Sequence, residues 1–574
     1  MPQDGGSPTA RRSPRWRPTQ LLMAVIALAT LISATWVALP KGPVDPAAAG
    51  VTVPDDGVAA GGAGRRDGGR PGDDGVPWHQ PGWIVTENLK PGTQGWQLPD
   101  DRVMWDKVRG FGSATSVNTG EPVTLFVSTA APWTVRAFRM GYYGGVGARE
   151  VWRSPEQPPL VQPPAVVDKA TGMREAPWSP SLEVATASWP PGVYLLKLES
   201  ADGGSTYVPL VVRDDDSRAA LLIQSSVTTW QAYNDWGGAN QYSGPGGGSG
   251  RSRVVSFDRP YNGNGSGEFF GREFEMVWFV EQHGLDATWW TDVDLNDRPQ
   301  RVLQHQALIS LGHDEYYTPT MAAALAAARD QGVNLAFIGA NAIYRKIRLE
   351  PSPLGPSRRQ VNYRSASEDP ATKANPADAT VEWRSPPVNR PESTIVGNYY
   401  ECNPVKADLV ITEPDAWVFA GTGVKKGDRW PDAVGNEYDR VTAGVPTPDS
   451  IQILSESPVT CKGKRSVAHM TWYTAPSGAG VFAAGTFWLI PALDDDCKAM
   501  PAGGPSCQIQ RMVLNVLQAL SKGPAGREHP SVNNTGAYGI KITPMTWPAA
   551  GAPPPSYRPD PTAPTTLPVD DDER

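Results

Sequence analysis

Between residues 219 and 342, continuous apolar runs alternate with segments of helical period. That alternation restricts the fold more than any other feature of the chain. ALLIQSS (220–226), DATWWTD (286–292), ALISLGHD (307–314) and NLAFIGANA (334–342) are too apolar to leave one face in water. Such runs read as strands buried on both faces of a sheet. Between them stand REFEMVWFVEQHG (272–284) and TPTMAAALAAARDQG (318–332), both ending in Gly. The second also has Thr at its start, Pro at its first helical position and an Ala-rich body, which are helix start and stop signals. The alternation predicts an α/β fold, a doubly wound and mostly parallel sheet, over residues 214–524. Upstream, over 84–213, PVTLFVST (122–129), TVRAFRMGYY (134–143), GVYLLKLES (192–200) and TYVPLVVR (206–213) alternate between Gly and Pro clusters. Period-2 alternation with turn punctuation predicts an N-terminal β-sandwich.

The ends of the chain have a different composition. LLMAVIALATLISATWVAL (21–39) is uncharged and follows Arg11, Arg12, Arg15 and Arg17. About 20 apolar residues suffice to cross a bilayer, and a basic flank keeps its own side cytoplasmic. Residues 1–18 are therefore expected as a basic tail and 19–39 as an anchor or a cleaved signal. The body of the protein is expected outside the cytoplasm, at the cell membrane or secreted. Residues 40–83 are rich in Gly, Pro and Asp and read as a flexible stalk. Residues 525–574 read as a Pro-rich disordered tail.

The net charge is −8, which provides no basic field for phosphates and excludes nucleic acid as the main partner. The 21 tryptophans, among them Trp230, Trp236, Trp289 and Trp290, fit either an aromatic core or a cleft with stacking surfaces. The four cysteines, Cys402, Cys461, Cys497 and Cys507, allow three pairings. Cys497–Cys507 with Cys402–Cys461 is the favoured one, and a zinc site is the competing use.

In open α/β sheets, sites gather beyond the carboxyl ends of the strands. Here those positions carry Thr229, Tyr233 and Asn234, then His313, Asp314, Glu315, Tyr316 and Tyr317, then Asn341, Tyr344 and Arg345. The competing structural role is that Asp314 caps a helix and the tyrosines pack. Nucleophilic designs find no support, because no G-x-S-x-G elbow and no suitably placed cysteine occur. GNGSG (263–267) lacks the Lys of a phosphate loop. What remains is acid–base or metal-assisted hydrolysis by hard oxygen donors.

The strings GYYGG (141–145), TWQAYN (229–234), GHDEYY (312–317), GANAIYRKIR (339–348), NEYDR (436–440) and GTFW (485–488) occur in this order. Together they resemble the large (beta) subunit of N,N-dimethylformamidase, over about two thirds of the chain. The resemblance implies a sandwich-like region followed by an α/β domain of amidotransferase-like type. It implies hydrolysis of a small amide or other C–N bond with one ferric iron held by two tyrosines and a glutamate. Carried over by motif, the metal ligands are Tyr233, Glu315 and, through a looser match, Tyr194. His313 and Glu437 become acid–base groups, and Asn341 and Arg345 orienting groups. The implied partner is a small-molecule amide; membrane attachment is expected from the N-terminal segment, which departs from the cytoplasmic family enzyme, and self-association is left open. The alternative is a non-catalytic, surface-anchored protein that binds a glycan or small molecule on the same scaffold.

Overall fold

The apolar runs lie at the centre of the structure, but the sheet they build is mixed. The computed structural model describes residues 75–99, 101–493, 497 and 504–547. Strands β1 (Leu221–Ser225), β2 (Ala287–Thr291), β3 (Ala307–His313) and β4 (Asn334–Ala340) pair in parallel in the order β2-β1-β3-β4. Every residue of these four strands is buried. Beyond β4 the same sheet continues with β5 (Gln452–Cys461), β6 (Lys464–Thr474) and β7 (Gly480–Ala483), in the order β4-β7-β6-β5. The β7–β6 and β6–β5 pairs are antiparallel.

This corrects the expected class. Among the described residues strands outweigh helices and lie in mixed and antiparallel sheets, and a doubly wound, mostly parallel α/β domain is not what forms. The reason lies between β4 and β7. Helical spacing stops after residue 342, and the long connection supplies strands instead of a crossover helix. Its main feature is an antiparallel arm, Tyr399–Val410 against Arg429–Arg440.

Among the helices are α1 (Val227–Tyr233), α2 (Phe274–Gln282), α3 (Pro319–Asp330) and α4 (Pro505–Leu520). Helix α3 starts as its sequence dictates, with Thr318 Oγ1 accepting from the Met321 amide at 3.2 Å and Pro319 at the first position. Its Met321 and Leu325 pack on Leu222, Leu308 and Leu335. Met276 and Val280 of α2 and Val513 and Val516 of α4 join Leu221, Ile223 and Ile309 in another core. Each such side chain fully withdrawn from water stabilises the fold by about 1.5–3 kcal/mol.

Upstream, a five-stranded sheet has the order Ser116–Asn118, Ser205–Arg213, Gly192–Ser200, Trp133–Met140, Ala148–Arg153. It shares a core of Val108, Leu125, Val127, Val135, Leu196 and Leu210 with a three-stranded sheet, Val108–Gly112, Val123–Thr129 and Leu182–Val184. This region is joined to α2 through Arg139. Its guanidinium bonds Glu281 at 2.7 and 3.0 Å, the Tyr143 hydroxyl at 2.9 Å and the Pro191 carbonyl at 3.0 Å. Gly141 of GYYGG lets the chain pass this cluster, since a Cβ there would lie 2.9 Å from the Tyr143 ring and 3.1 Å from Glu281.

Cys402–Cys461 and Cys497–Cys507 are disulfide-bonded, which excludes the zinc use. Trp230, Trp289 and Trp290 are buried in the cores. Part of the stretch expected as a disordered tail is packed. His529 stacks on Trp417 with ring centroids 4.3 Å apart, Tyr538 bonds Thr412 at 2.9 Å, and Trp547 bonds Asp449 at 3.2 Å. The expected anchor, 19–39, lies outside the described residues, as do the expected basic tail and most of the stalk. Among the described residues no helix is long and apolar enough to cross a membrane, so those residues give the expected single-pass location no support.

Glu273 holds the start of α1. One of its carboxylate oxygens accepts from the Ser226 amide at 3.0 Å and from Trp230 Nε1 at 3.1 Å. Burial outweighs these bonds and pushes the carboxyl up to about 8. The folded protein therefore keeps a proton on Glu273 that the unfolded chain releases near its ordinary value of 4.5. Stability from this group is present below that value and is lost as pH rises towards about 8. Glu273→Gln, which mimics the neutral acid, is expected to gain on the wild type across this window in urea denaturation. A stability difference independent of pH would contradict it.

Candidate functional site

The parallel register aligns His313 at the end of β3 with Ala340 at the end of β4. The loops that follow therefore leave the sheet side by side. The two strands approach so closely here that a Cβ on Gly339 would lie 1.8 Å from the Gly312 carbonyl oxygen. This explains the glycines that open GHDEYY and GANAIYRKIR. The loop after β4 then holds the loop after β3 through its backbone. The Ile343 amide donates to the Asp314 carbonyl at 3.1 Å, and those of Tyr344 and Arg345 to the Glu315 carbonyl at 3.0 and 2.8 Å. Asn341 and Ile343 have φ of 56° and 59°. A left-handed conformation at a β-branched residue is strained, and such strain is concentrated at functional sites.

Glu315 is the hub. Its carboxylate accepts from Tyr242 at 2.7 and 2.9 Å and from Tyr233 at 3.2 Å. The two phenol oxygens are 2.8 Å apart and their rings stack with centroids 4.3 Å apart. Tyr233 is the last residue of α1, and Tyr242 lies within the irregular segment that follows it. Tyr316 adds a third phenol, donating to the Tyr242 hydroxyl at 2.8 Å. The Arg364 guanidinium lies over the Tyr242 ring, 4.1 Å from its centroid, and Arg345 Nε is 3.4 Å from Glu315 and its Nη1 3.2 Å from Glu382.

His313 Nε2 stands 3.2 Å from Glu315 Oε2 and 3.8 Å from Glu437 Oε2, close enough for ion pairing but not aligned as a hydrogen bond. Glu437 comes from the antiparallel arm, and Asn403 of the paired strand donates to its Oε1 at 2.9 Å. Asn341 lies beside Glu437, with its own amide held by Asp439 Oδ1 at 2.9 Å. Glu437 Oε2 and Asn341 Oδ1 are buried acceptors with no hydrogen-bond partner among the described residues. Phe487 closes over His313 at 4.6 Å between ring centroids.

Charge is distributed unevenly over these groups. Burial opposes ionisation of Glu315, but His313, Arg345 and Arg364 outweigh it and hold the carboxyl down to about 2. Burial likewise opposes charge on His313, yet Glu437 and Glu315 raise its pKa. Glu437 goes the other way, pushed up by burial and by Glu315 against the pull of His313. Burial first, then Glu315, raise Tyr233 and Tyr242 well above the usual phenol range. Glu315 is thus held charged, while Glu437 is the carboxyl of the two with the higher proton affinity.

Of the residues expected from sequence, Tyr233, Glu315, His313, Glu437, Arg345 and Asn341 come together. Tyr194 does not. It sits in the strand Gly192–Ser200, fully buried, donating to the Pro190 carbonyl at 2.6 Å and stacked on Trp189 at 5.1 Å. The phenol paired with Tyr233 is that of Tyr242. It lies in a Gly- and Ser-rich loop without strand or helix period, and its one sequence signal is a tyrosine soon after the TWQAYN helix. Among the described residues no group of three His, Cys, Asp or Glu could hold a metal ion, and the cluster here depends on phenols.

Comparison with curated proteins found no match. Among solved structures, a cycloisomaltooligosaccharide glucanotransferase from Paenibacillus sp., complexed with cycloisomaltoheptaose, aligns at 10% identity and a TM-score of 0.13. The alignment covers 47% of this chain and 36% of that one, and a likeness this weak carries no argument. The model of the family "N,N-dimethylformamidase beta subunit-like, C-terminal" matches residues 134–500, more than half of the chain and all the site residues above. The chain thus belongs to the N,N-dimethylformamidase beta subunit-like family.

Proposed function

We propose that the protein is an iron-dependent hydrolase of a small amide or related C–N bond. The observation that carries this reading is the convergence of the Tyr233, Tyr242 and Glu315 oxygens within 2.7–3.2 Å of one another. Three oxygen donors that are anionic when deprotonated suit a hard trivalent ion, and phenolates suit ferric iron. The donor set therefore fits iron, with Tyr233, Tyr242 and Glu315 as the residues that would hold it. Iron held there supplies Lewis acidity towards an amide carbonyl and towards water.

The remaining steps belong to the protein's own groups. Glu437 Oε2, buried and unpartnered, accepts the proton of the attacking water. His313 Nε2, between Glu315 and Glu437, passes a proton to the departing amine nitrogen. Asn341 and Arg345 keep Glu437 and Glu315 in place through the contacts above. His313, Glu315, Asn341 and Glu437 are buried, which strengthens the interactions among them. The test is metal analysis of the purified protein together with a panel of formamides and other small amides. About one iron per chain, a tyrosinate-to-iron absorption band and turnover of at least one amide are expected. Protein that binds no iron after reconstitution would overturn the reading.

A further inference from the structure

We infer that Arg259 is the positioning residue that shapes the tyrosine pair, by clamping the loop that runs from Tyr233 to Tyr242; this rests on the functional reading above. Arg259 is 1% exposed, and no carboxylate lies within ion-pair distance of it among the described residues. A buried guanidinium without an acid is costly, so its hydrogen bonds must justify the position. All five N–H donors are used. Nε donates to Gln231 Oε1 at 3.0 Å, Nη1 to the carbonyls of Trp236 at 3.0 Å and Ala239 at 3.1 Å. Nη2 donates to the carbonyls of Gln231 at 3.4 Å and Asn234 at 2.8 Å.

Every acceptor lies between residues 231 and 239, the segment that ends α1 and begins the loop. Carbonyls at a helix C-terminus have no partner within the helix, and a cation there also suits the helix dipole. The loop itself turns at Gly237 and Gly238, with φ of 82° and 90°, and is anchored at its far end by Asn240. Asn240 Oδ1 accepts from the Tyr242 amide at 2.8 Å, and its Nδ2 donates to the Tyr233 carbonyl at 3.0 Å. Arg259 thus sets the path of the loop, and Asn240 locks its two tyrosine ends together. Five acceptors spread along nine residues match the planar fork of arginine and not the point charge of lysine.

Arg259→Lys should remain folded, lose amide-exchange protection over residues 231–242 in the metal-free protein, and leave β3 and α3 protected. Iron affinity should fall at least tenfold, with the tyrosinate-to-iron band shifted or lost. If Arg259→Lys does not fold, Gln231→Leu, which removes one of the five acceptors, should show the same changes in milder form. Unchanged exchange over 231–242 in a folded variant, or iron bound as tightly and with the same band, would overturn the inference. Should the wild type bind no iron, the functional reading falls separately. The exchange comparison then decides alone, with loss of protection upholding the role of Arg259 and unchanged protection refuting it.

Discussion

Glu315→Gln is expected to abolish iron binding and to lower amide hydrolysis about 10³-fold or more, with the fold intact. Glutamine keeps the volume of the side chain and can still bond Tyr233 and Tyr242. What it removes is the negative charge, which His313, Arg345 and Arg364 hold in place by keeping the carboxyl at about 2. Losing an anionic ligand forfeits the several kcal/mol that a Lewis-acidic ion contributes, and each 1.36 kcal/mol is a factor of ten in rate. Thermal unfolding separates this result from simple damage to the fold. Iron content and turnover equal to wild type would contradict the assignment of Glu315.

Arg139→Ala is expected to destabilise the protein by about 3–5 kcal/mol, the cost of leaving one partner of a buried ion pair alone. Arg139 and Glu281 have no solvent exposure. The arginine lies on the strand Trp133–Met140 and the glutamate on α2, so the pair joins the upstream sheets to the central one. Its removal would leave Glu281 facing Tyr143 and Asn88 without a counter-charge. Arg139→Met combined with Glu281→Leu removes both charges and should cost less than the single change. Urea denaturation of Arg139→Met, Glu281→Leu and the double variant tests this. Additive losses would mean that the pair contributes no coupling.

The legible parts of the sequence were those with local signals. The runs at 220–226, 286–292, 307–314 and 334–342 carry β1 to β4, because a strand buried on both faces must be apolar throughout. Thr318 and Pro319 started α3 as capping chemistry requires. The groups beyond those strands were legible for the same reason, since parallel strands deliver their carboxyl ends to one edge. Contacts far apart in sequence were not legible. The antiparallel completion of the sheet by β5 and β6 depends on pairing after a long connection, and the expected fold class failed there. Tyr242 and Arg259 lie in irregular segments whose geometry comes from carbonyl acceptors, and composition does not reveal those. Tyr194 lies in the upstream core, apart from Tyr233 and Glu315, and a tyrosine in a strand carries no sign in its sequence of whether it faces a site or a core.

Tyr242, and not Tyr194, stands beside Tyr233 as the second phenol of the proposed iron site. Iron titration of Tyr242→Phe and Tyr194→Phe, read by metal content and by the tyrosinate-to-iron band, tests it directly. Tyr242→Phe is expected to bind iron at least tenfold more weakly and to change the band, whereas Tyr194→Phe keeps both. Iron retained in Tyr242→Phe, or lost in a folded Tyr194→Phe, would contradict it.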